Sequence, residues 1–410
     1  MQRLTAGAVG ACGGAAAVLL GVRLSRPPTE ERAMQAAEPP TTPPSATVLA
    51  EQRFCKYGLP SDEHIVIRQG YASSISYRLR IPNWVAEKYS ASDVDGEGVD
   101  RKHSRFSADD AVPPAFRATN EDYRGSMLSR GHMAPAGAHK QSQETVDETF
   151  KLSGNILPQE LSNNGSDWLR LERWCRALTK QYPEVFVVSG PLFLPLDDAN
   201  NFDAPKAPPP PPPPPRMVPV DSPADGAPPP KATPPSKQAF KPPKRQRIAY
   251  DVIGEHAVAV PTHLFKVVLA EREGERRLSA FILPNGPVRG HPELDEFAVP
   301  LATVEAHSGL ELFPKLGGAR HDPTATPPLC GTGSTRCGVG AMDGRIMGWK
   351  RLGHLKMAGD CQALMEAWAD VPAKAEAFGL LKRTFEDQAG KHACPLPKKE
   401  KENRPPVVST

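Results

Sequence analysis

Ser129-Arg-Gly-His-Met-Ala-Pro-Ala-Gly-Ala-His-Lys140 is the stretch from which the rest of the chain can be interpreted. Its His132 is a natural general base, because an unperturbed imidazole titrates close to neutral pH. Arg130 lies two residues earlier, on the same side of an extended chain, where its guanidinium could contact a phosphate. A single histidine in a glycine-containing loop is usually structural, so this stretch alone predicts no activity.

A second stretch, Asn155-Ile-Leu-Pro-Gln159 followed by Asn163-Asn164, adds oxygen ligands for a cation. Asn164 offers a neutral amide oxygen, and Glu172 could hold metal-bound waters. Mg²⁺ prefers oxygen ligands and keeps several waters, so it needs few ligands from the protein. Taken singly, an Asn-Asn-Gly turn and a helical glutamate are usually structural or solvated. Together with His132, they predict a one-metal site that cleaves phosphodiesters.

The residues after Asn164 predict an amphipathic helix. Asp167 is the expected N-cap, and apolar residues recur at helical spacing from Trp168 to Tyr182. Glu172 lies one turn beyond Trp168, and Asn164 falls in the loop that enters the helix. A metal near the helix entrance could therefore contact the asparagine directly and the glutamate through water.

These motifs resemble the DNA/RNA non-specific nucleases of the ββα-metal type, most of all their mitochondrial exonuclease G-like branch, a sister of endonuclease G. The resemblance covers most of residues 75–315. It includes Ile81-Pro-Asn-Trp-Val85, Asp100-Arg-Lys-His103, Asn120-Glu-Asp-Tyr123, Val188-Ser-Gly-Pro191 and Val260-Pro-Thr-His-Leu-Phe-Lys266.

The resemblance implies an α+β fold, in which a ββα-metal nuclease core has a largely antiparallel sheet, flanking helices and a small helical C-terminal extension. It assigns His132 as general base and Asn164 as direct metal ligand, with Arg130, Asn155 and Glu172 as supporting catalytic residues. It implies Mg²⁺ as the cofactor, with Mn²⁺ as an alternative, and DNA and RNA bound through their backbone phosphates. The family often forms homodimers, although no apolar stripe in this sequence demonstrates one.

Three positions depart from the family pattern. Ser129 stands where many relatives have Asp, and a serine there matches the exonuclease-like branch. Ala138 stands where Asn is expected. Gly154 is an extra residue that would displace Asn155 relative to His132 unless a β-bulge absorbs it.

The first 29 residues contain no acidic side chain, and an apolar run of seventeen residues, 6–22, lies between arginines. This run is short for a membrane span, and a secretory signal has the same pattern. The resemblance favours a mitochondrial signal with a short inner-membrane anchor, which would face the protein toward the intermembrane space; a secreted nuclease is the alternative. A tether rich in Pro, Ala and Thr is predicted to complete residues 1–50.

Residues 51–315 are predicted to form the nuclease domain, interrupted by a Pro-rich insertion over about 197–245. Between residues 205 and 243, 18 of 39 residues are proline, which neither a sheet nor a helix interior accommodates. An extended surface loop is therefore expected, with an SH3-like partner as an alternative role. The segments on either side, 185–189 and 247–253, are predicted to be neighbouring strands.

Periodicity predicts the other elements of the domain. A small basic cluster at residues 101–105 could line a DNA path, although a solvated loop is favoured. Strands are expected at 63–68, 74–79, 257–260, 264–269 and 278–283, and a helix at 301–312.

The remaining chain is predicted to comprise a linker over residues 316–340, a helical C-terminal extension over 341–390 and a disordered basic tail over 391–410. Helices are expected at 360–369 and 373–388. The extension resembles that of the exonuclease-like branch, where it is associated with binding a DNA end and with exonucleolytic cutting.

Composition narrows the alternatives. A net charge of +3 is weak support for nucleic acid, although a local positive cleft suffices for a nuclease. Seven dispersed cysteines without a Cys-x-x-Cys pair argue against a zinc site and a dense disulfide framework, although Cys330 and Cys337 could pair. The motifs and the resemblance together predict a metal-dependent nuclease that gives 5′-phosphate products, and the resemblance implies endonuclease and 5′–3′ exonuclease activity. The rival is a catalytically weak nucleic-acid-binding or scaffold protein on the same fold.

Overall fold

The computed structural model describes residues 44–96, 99–195, 247–330, 337, 343–369, 371 and 378–395. The predicted N-terminal signal, most of the tether, all of the proline-rich insertion and most of the basic tail lie outside these residues. Within the described part of the chain, no helix combines the length and the apolar character that a membrane crossing requires.

Strands and helices are mixed along the chain. The strands are β1 (Ile65–Ile67), β2 (Tyr71–Ser76), β3 (Ile81–Tyr89), β4 (Ser107–Ala108), β5 (Leu128–His132), β6 (Lys151–Leu152), β7 (Ile156–Glu160), β8 (Glu184–Leu192), β9 (Val252–Ile253), β10 (Val258–Ala259), β11 (His263–Arg272), β12 (Glu275–Pro284) and β13 (Ala298–Val299). The α-helices are α1 (Ala46–Arg53), α2 (Ala91–Val94), α3 (Asn120–Tyr123), α4 (Gln143–Glu148), α5 (Leu161–Gly165), α6 (Asp167–Leu178), α7 (Leu301–Ser308), α8 (Gly344–Met357), α9 (Cys361–Ala369) and α10 (Phe378–Lys391).

A seven-stranded antiparallel sheet, in the order β1-β2-β3-β8-β11-β12-β13, forms the centre of the fold. In β8, Val185 and Val187 point into one buried cluster, whereas Phe186 and Val188 point into another. Because both faces of the central strands are apolar, both must be covered by other elements. The structure confirms the predicted α+β class with a largely antiparallel sheet.

Different helices pack on the two faces of the seven-stranded sheet. On one face, Ala50 of α1 and Val304 of α7 pack into the core. On the other, Trp168, Leu171 and Cys175 of α6 pack against the strands, because they recur at the spacing of one helical face. The catalytic candidates lie on the α6 side.

A smaller four-stranded sheet, in the order β4-β6-β7-β5, holds the motif with which the sequence analysis began. β5 and β7 pair antiparallel, with Ser129 opposite Gln159 and His132 opposite Ile156. The helices α5 and α6 follow β7 directly. Two paired strands and the helices after them give the ββα unit that the resemblance implies.

Packed structure is already present before the predicted domain boundary at residue 51. Residues 46–50, expected to belong to the tether, form the first turns of α1. Ser45 caps this helix by accepting a hydrogen bond from the backbone N–H of Val48, and Ala50 is fully buried. A capped and buried turn is stable, so the packed region begins before residue 51.

The strand predicted over residues 247–253 is not a neighbour of β8, so this prediction is wrong. Only Val252–Ile253 form a strand, and it pairs with β10. β8 lies between β3 and β11, whose longer apolar segments occupy both of its edges. The preceding residues instead leave Ile248 and Tyr250 exposed.

Part of the predicted linker is packed onto the large sheet. Leu329 and Cys330 are buried, and the backbone N–H of Leu329 donates to Ser279 Oγ of β12 at 3.0 Å. Cys330 forms a disulfide with Cys337, the pairing that the sequence leaves open. A second disulfide, which the sequence does not predict, joins Cys361 to Cys394.

The C-terminal helices pack together and against the catalytic unit. Helices α9 and α10 correspond to the two predicted helices, and with α8 they share a small apolar core that includes Leu355, Leu364 and Phe385. The sequence analysis did not single out α8 as a separate helix. It lies against α5 and α6, with Lys350 in a buried ion pair with Asp167 at 2.5 Å. The C-terminal extension therefore packs directly against α5 and α6.

Candidate active site

A pocket of about 370 Å³ opens where β5, α5, α6 and α8 meet. Arg130, His132, Asn164 and Glu172 line it. Four of the five residues singled out from the sequence are thus brought together, although they lie on three different elements. Asn155 does not line this pocket.

His132 is the last residue of β5, and its side chain is buried against aromatic rings. The edge of its imidazole meets Phe150, with ring centroids 4.7 Å apart, and Phe106 lies at 5.5 Å. Burial lowers the pKa of His132 to about 3, and the nearby charge of Arg101 acts in the same direction. Its Nε2 atom has no hydrogen-bond partner among the described residues. A neutral imidazole with a free nitrogen is the form that a general base requires.

Asn155 lies behind the pocket, where it fixes the chain that follows His132. Its side chain accepts from the backbone N–H of Ala134 at 2.8 Å and donates to the carbonyl of the same residue at 2.9 Å. It also donates to the carbonyl of Thr149 at 2.7 Å and is fully buried. Asn155 therefore positions the loop from behind the pocket, and its role as a supporting catalytic residue stays a prediction.

The extra Gly154 is absorbed by a tight turn. Ser153, at φ +65°, and Gly154 connect β6 to β7, and Leu152 pairs directly with Ile156. A Cβ atom at Gly154 would lie 2.1 Å from Oδ2 of the buried Asp109, so a residue with a side chain fits poorly there. The turn leads into β7, which pairs with β5 so that His132 lies opposite Ile156.

Asn164 is presented by the short helix α5 rather than by the predicted loop. Its amide nitrogen donates to Ser129 Oγ at 2.9 Å, and this hydroxyl donates to the carbonyl of Gln159 at 2.8 Å. The chain of hydrogen bonds fixes the amide and leaves its oxygen without a donor among the described residues. Asn164 Oδ1 is therefore available to a ligand from the pocket.

The start of α6 also differs in detail from the prediction. Ser166 precedes the helix, and Asp167 is its first residue rather than its N-cap. The Asp167 carboxylate accepts a hydrogen bond from Arg170 at 3.0 Å and forms the ion pair with Lys350. This carboxylate anchors α6 to α8.

Glu172 lies on α6, one turn after Trp168, and only 9% of the residue is exposed. Burial raises the pKa of its carboxyl to about 7, against the nearby charges of Lys266 and Arg176, which lower it. No hydrogen bond joins the carboxylate to another described side chain, so its oxygens can receive hydrogen bonds from water in the pocket.

Arginines make the pocket strongly positive. Arg130 is held by Asn120, whose Oδ1 accepts a hydrogen bond at 2.6 Å, and its guanidinium lies 4.4 Å above the centre of the Phe106 ring. Arg101, which the sequence analysis favoured as part of a solvated loop, lines the same pocket. The remaining arginines of the lining are Arg173, Arg176 and Arg345.

The sequence offered a signal for one of these missed residues. Arg176 lies four residues after Glu172, so both share a helix face. Arg345 and Trp349 belong to α8, and no local pattern links them to the motif around His132. The Trp349 ring lies so close to Gly165 that a Cβ there would come within 2.3 Å of it.

The polar groups of the pocket suit a hard, hydrated cation. No cluster of three or more His, Cys, Asp or Glu side chains occurs in the described residues. The oxygen donors in the lining are the free amide oxygen of Asn164 and the carboxylate of Glu172. Few donors, all of them oxygen, fit an ion such as Mg²⁺, which keeps most of its waters, better than Zn²⁺.

Comparison with known proteins agrees with this geometry. Residues 50–318 match the DNA/RNA non-specific endonuclease family. Over 319 residues the chain is 38% identical to "Nuclease EXOG, mitochondrial" of Mus musculus, which covers 77% of this chain and 73% of that protein. It is 40% identical over 250 residues to the Homo sapiens protein of the same name, which covers 60% of this chain and 56% of that protein.

A solved structure shares the fold. It is described as "Crystal structure of the EndoG/EndoGI complex: Mechanism of EndoG inhibition", and its superposition on this chain has a TM-score of 0.53 at 31% sequence identity. The match covers 68% of this chain and 96% of that chain.

Proposed function

The chain belongs to the DNA/RNA non-specific endonuclease family, and from that premise we propose that it is a metal-dependent nuclease that hydrolyses phosphodiester bonds in DNA and RNA. The observation that carries the proposal is the convergence of the free imidazole nitrogen of His132, the free amide oxygen of Asn164 and the carboxylate of Glu172 on one arginine-lined pocket. This convergence also argues against the rival role as a catalytically weak scaffold, because the Gly154 insertion has left the site assembled.

His132 acts as the base. Its neutral imidazole takes a proton from a water molecule, which attacks the phosphorus in line with the departing 3′ oxygen and leaves a 5′-phosphate. The hydrogen-bond frame around Ala134 holds the ring in place while this occurs. Burial keeps the imidazole unprotonated before the reaction, so no proton has to be removed from it first.

The arginines bind and orient the phosphate. Arg130 is already oriented by Asn120 and the Phe106 ring, so little side-chain entropy is lost when it contacts the substrate. Such contacts are made to the backbone and carry no sequence information, which suits a nuclease that accepts either sugar. Binding should weaken as salt is raised.

We assign Mg²⁺, with Mn²⁺ as an alternative, as the ion that fits these donors. When bound, a divalent cation would supply charge stabilisation for the transition state and the leaving oxygen. Asn164 would contact it directly, and Glu172 would accept hydrogen bonds from its waters. The pocket offers these two residues as oxygen donors, in keeping with an ion that retains much of its hydration shell.

The cellular setting follows from the relatives. Both relatives are named mitochondrial nucleases, which supports a mitochondrial location for this chain. We place it at the inner membrane facing the intermembrane space, with an anchor in residues 1–50, and propose that it forms a homodimer. We also propose exonuclease activity beside endonuclease activity, because Arg345 and Trp349 of the C-terminal extension line one side of the pocket.

The test is cleavage of supercoiled plasmid and of end-labelled linear DNA and RNA by protein lacking residues 1–43. Cleavage in Mg²⁺ that EDTA abolishes, and that His132→Ala removes, supports the proposal. Equal nicking with and without EDTA, or full activity of the variant, would contradict it. Cell fractionation and light scattering test the location and the dimer.

A further inference from the structure

The middle of β11 carries a charge where an apolar residue is expected. Leu264 and Val268, two residues to either side of Lys266, belong to the apolar core beneath α6. Side chains two apart on a strand share a face, so Lys266 points into that core, and it is 1% exposed. A buried ammonium is costly unless several partners compensate it.

One partner of Lys266 lies in residues 132–134, the general base and the two residues after it, which are called the catalytic loop below. Its Nζ atom donates to Ser189 Oγ at 2.5 Å and to the backbone carbonyl of Met133 at 3.3 Å. It also lies 4.7 Å above the centre of the Trp168 ring and 4.0 Å from Glu87 Oε1. One of these four contacts is therefore to the residue that directly follows the general base.

The same loop is held from two further sides. Trp168 Nε1 donates to the carbonyl of His132 at 3.2 Å, and Asn155 binds both backbone groups of Ala134. Between these two residues, Lys266 binds the carbonyl of Met133. Three consecutive carbonyls, of His132, Met133 and Ala134, are thus each bound by a buried side chain.

A second buried group fixes the ammonium from behind. Glu87 of β3 is 1% exposed, and its other carboxylate oxygen lies 2.8 Å from Nε2 of the buried His139. This acid pairs with Lys266 without reaching the pocket. On the pocket side, Lys266 opposes the rise in the pKa of Glu172 more strongly than any other nearby charge does.

We propose that Lys266 is a positioning residue of the nuclease reaction, which holds the Met133 carbonyl and thereby sets the position of the His132 imidazole. The inference rests on the proposed function and adds to it a residue that touches neither substrate nor metal. If the lysine served stability alone, a long apolar side chain would serve as well or better, because buried ion pairs seldom outperform well-packed apolar groups.

The experiment compares Lys266→Met with Lys350→Met in the full chain. Methionine keeps the length of the side chain and removes the charge. Lys350 is a matched control, because it is also a buried lysine with a carboxylate partner but touches no residue of the catalytic loop. A double variant, Lys266→Met with Glu87→Gln, avoids an unpaired buried carboxylate and leaves an acceptor for His139.

Two measurements are made on each variant. The first is the ¹³C–¹H signal of the His132 ring in metal-free protein, identified by its loss in His132→Gln. The second is kcat and KM on plasmid DNA, per folded molecule. In both Lys266 variants we expect the ring signal to move and kcat to fall roughly 10- to 100-fold, the scale of a small misplacement of a catalytic group, with KM unchanged. In Lys350→Met we expect a lower melting temperature and an unmoved ring signal.

An unmoved ring signal in both Lys266 variants, with kcat per folded molecule retained, overturns the inference. So does a change in KM alone. If the wild-type chain cuts no DNA, the proposed function fails on its own, and the ring signal still decides whether Lys266 positions His132.

Discussion

The indole Nε1 of Trp168 donates a hydrogen bond to the backbone carbonyl of His132, at 3.2 Å. The helix that carries Glu172 thereby also holds the end of the strand that carries the base. Replacing Trp168 by Phe should keep most of the packing and remove this bond. Leaving the buried carbonyl unpaired should cost about 1–3 kcal/mol of stability.

Chemical denaturation together with plasmid cleavage tests this prediction. The matched control is Trp174→Phe, in the same helix, because the Trp174 indole donates to no described residue and packs its edge on Phe281. We expect kcat to fall in Trp168→Phe and to be nearly unchanged in Trp174→Phe. Equal loss of activity in both would show that the hydrogen bond is not needed to place His132.

Replacing His132 by Ala should reduce turnover by roughly 10²–10⁴-fold, the usual contribution of a general base. The fold should persist, because the neighbouring Phe106 and Phe150 rings remain. Circular dichroism and single-turnover cleavage measure the two effects. The comparison variant is His307→Ala, an exposed histidine on α7, which should cut DNA normally. Residual activity of His132→Ala near the wild-type level would remove His132 from the mechanism.

Replacing Asn164 by Ala should raise the Mg²⁺ concentration needed for half-maximal rate by roughly 10- to 100-fold, since an ion held by few protein donors loses one of them. Asn120→Ala provides the contrast, because it releases Arg130 without touching the metal donors. It should raise KM for DNA and leave the Mg²⁺ titration in place. A metal titration that Asn164→Ala does not change would refute the ligand assignment.

Protonation of His132 should not lower kcat/KM between pH 8 and pH 5, as protonation of an ordinary histidine would. A free imidazole near pKa 6.5 is mostly protonated at pH 5 and cannot act as a base. With its pKa lowered to about 3, His132 stays neutral at pH 5, and its protonation would slow the reaction only as the pH falls further. The profile of kcat/KM between pH 5 and 8, at saturating metal, checks this. The Glu172 carboxyl, whose pKa burial raises to about 7, titrates in the same range, so the profile is also measured in Glu172→Gln. A tenfold loss with a midpoint near 6.5 that persists in Glu172→Gln would mean that His132 titrates normally.

Replacing Gly154 by Ala should destabilise the protein, because the new methyl group would overlap the buried Asp109. Overpacking of this kind typically costs about 1–3 kcal/mol. Gly344, the first residue of α8, has open space where its Cβ would be, so Gly344→Ala is the control. Thermal melts should separate the two variants. A Gly154→Ala protein as stable as the wild type would mean that the turn gives way easily.

The sequence could predict the centre of the site because its residues lie in two short, informative stretches. His132 and Arg130 share one side of a strand, and Glu172 follows Asn164 at a spacing that a helix brings onto the pocket. These are local relationships, and strand and helix periodicities describe them. Periodicity also gave β8, β11 and β12, although not β3, whereas the α+β class came from the resemblance to the nuclease family.

What the sequence could not give depends on contacts between distant segments. The sequence left the effect of Gly154 open, because nothing in it shows that Ser153 adopts a positive φ in the turn before β7. The resemblance assigned Asn155 a supporting role, but its contacts with the backbone of Ala134 and Thr149 are invisible in a sequence. The predicted pairing of residues 247–253 with β8 was wrong because β3 and β11 already pair with the two edges of β8.

The docking of α8 has a consequence for the order in which the enzyme is made. Lys356 of α8 binds Glu160 across a sequence separation of 196 residues. Residues that hold the base and the metal leave the ribosome long before this helix exists. A nascent chain therefore carries an incomplete cleft until α8 has been synthesised and has packed against α5 and α6.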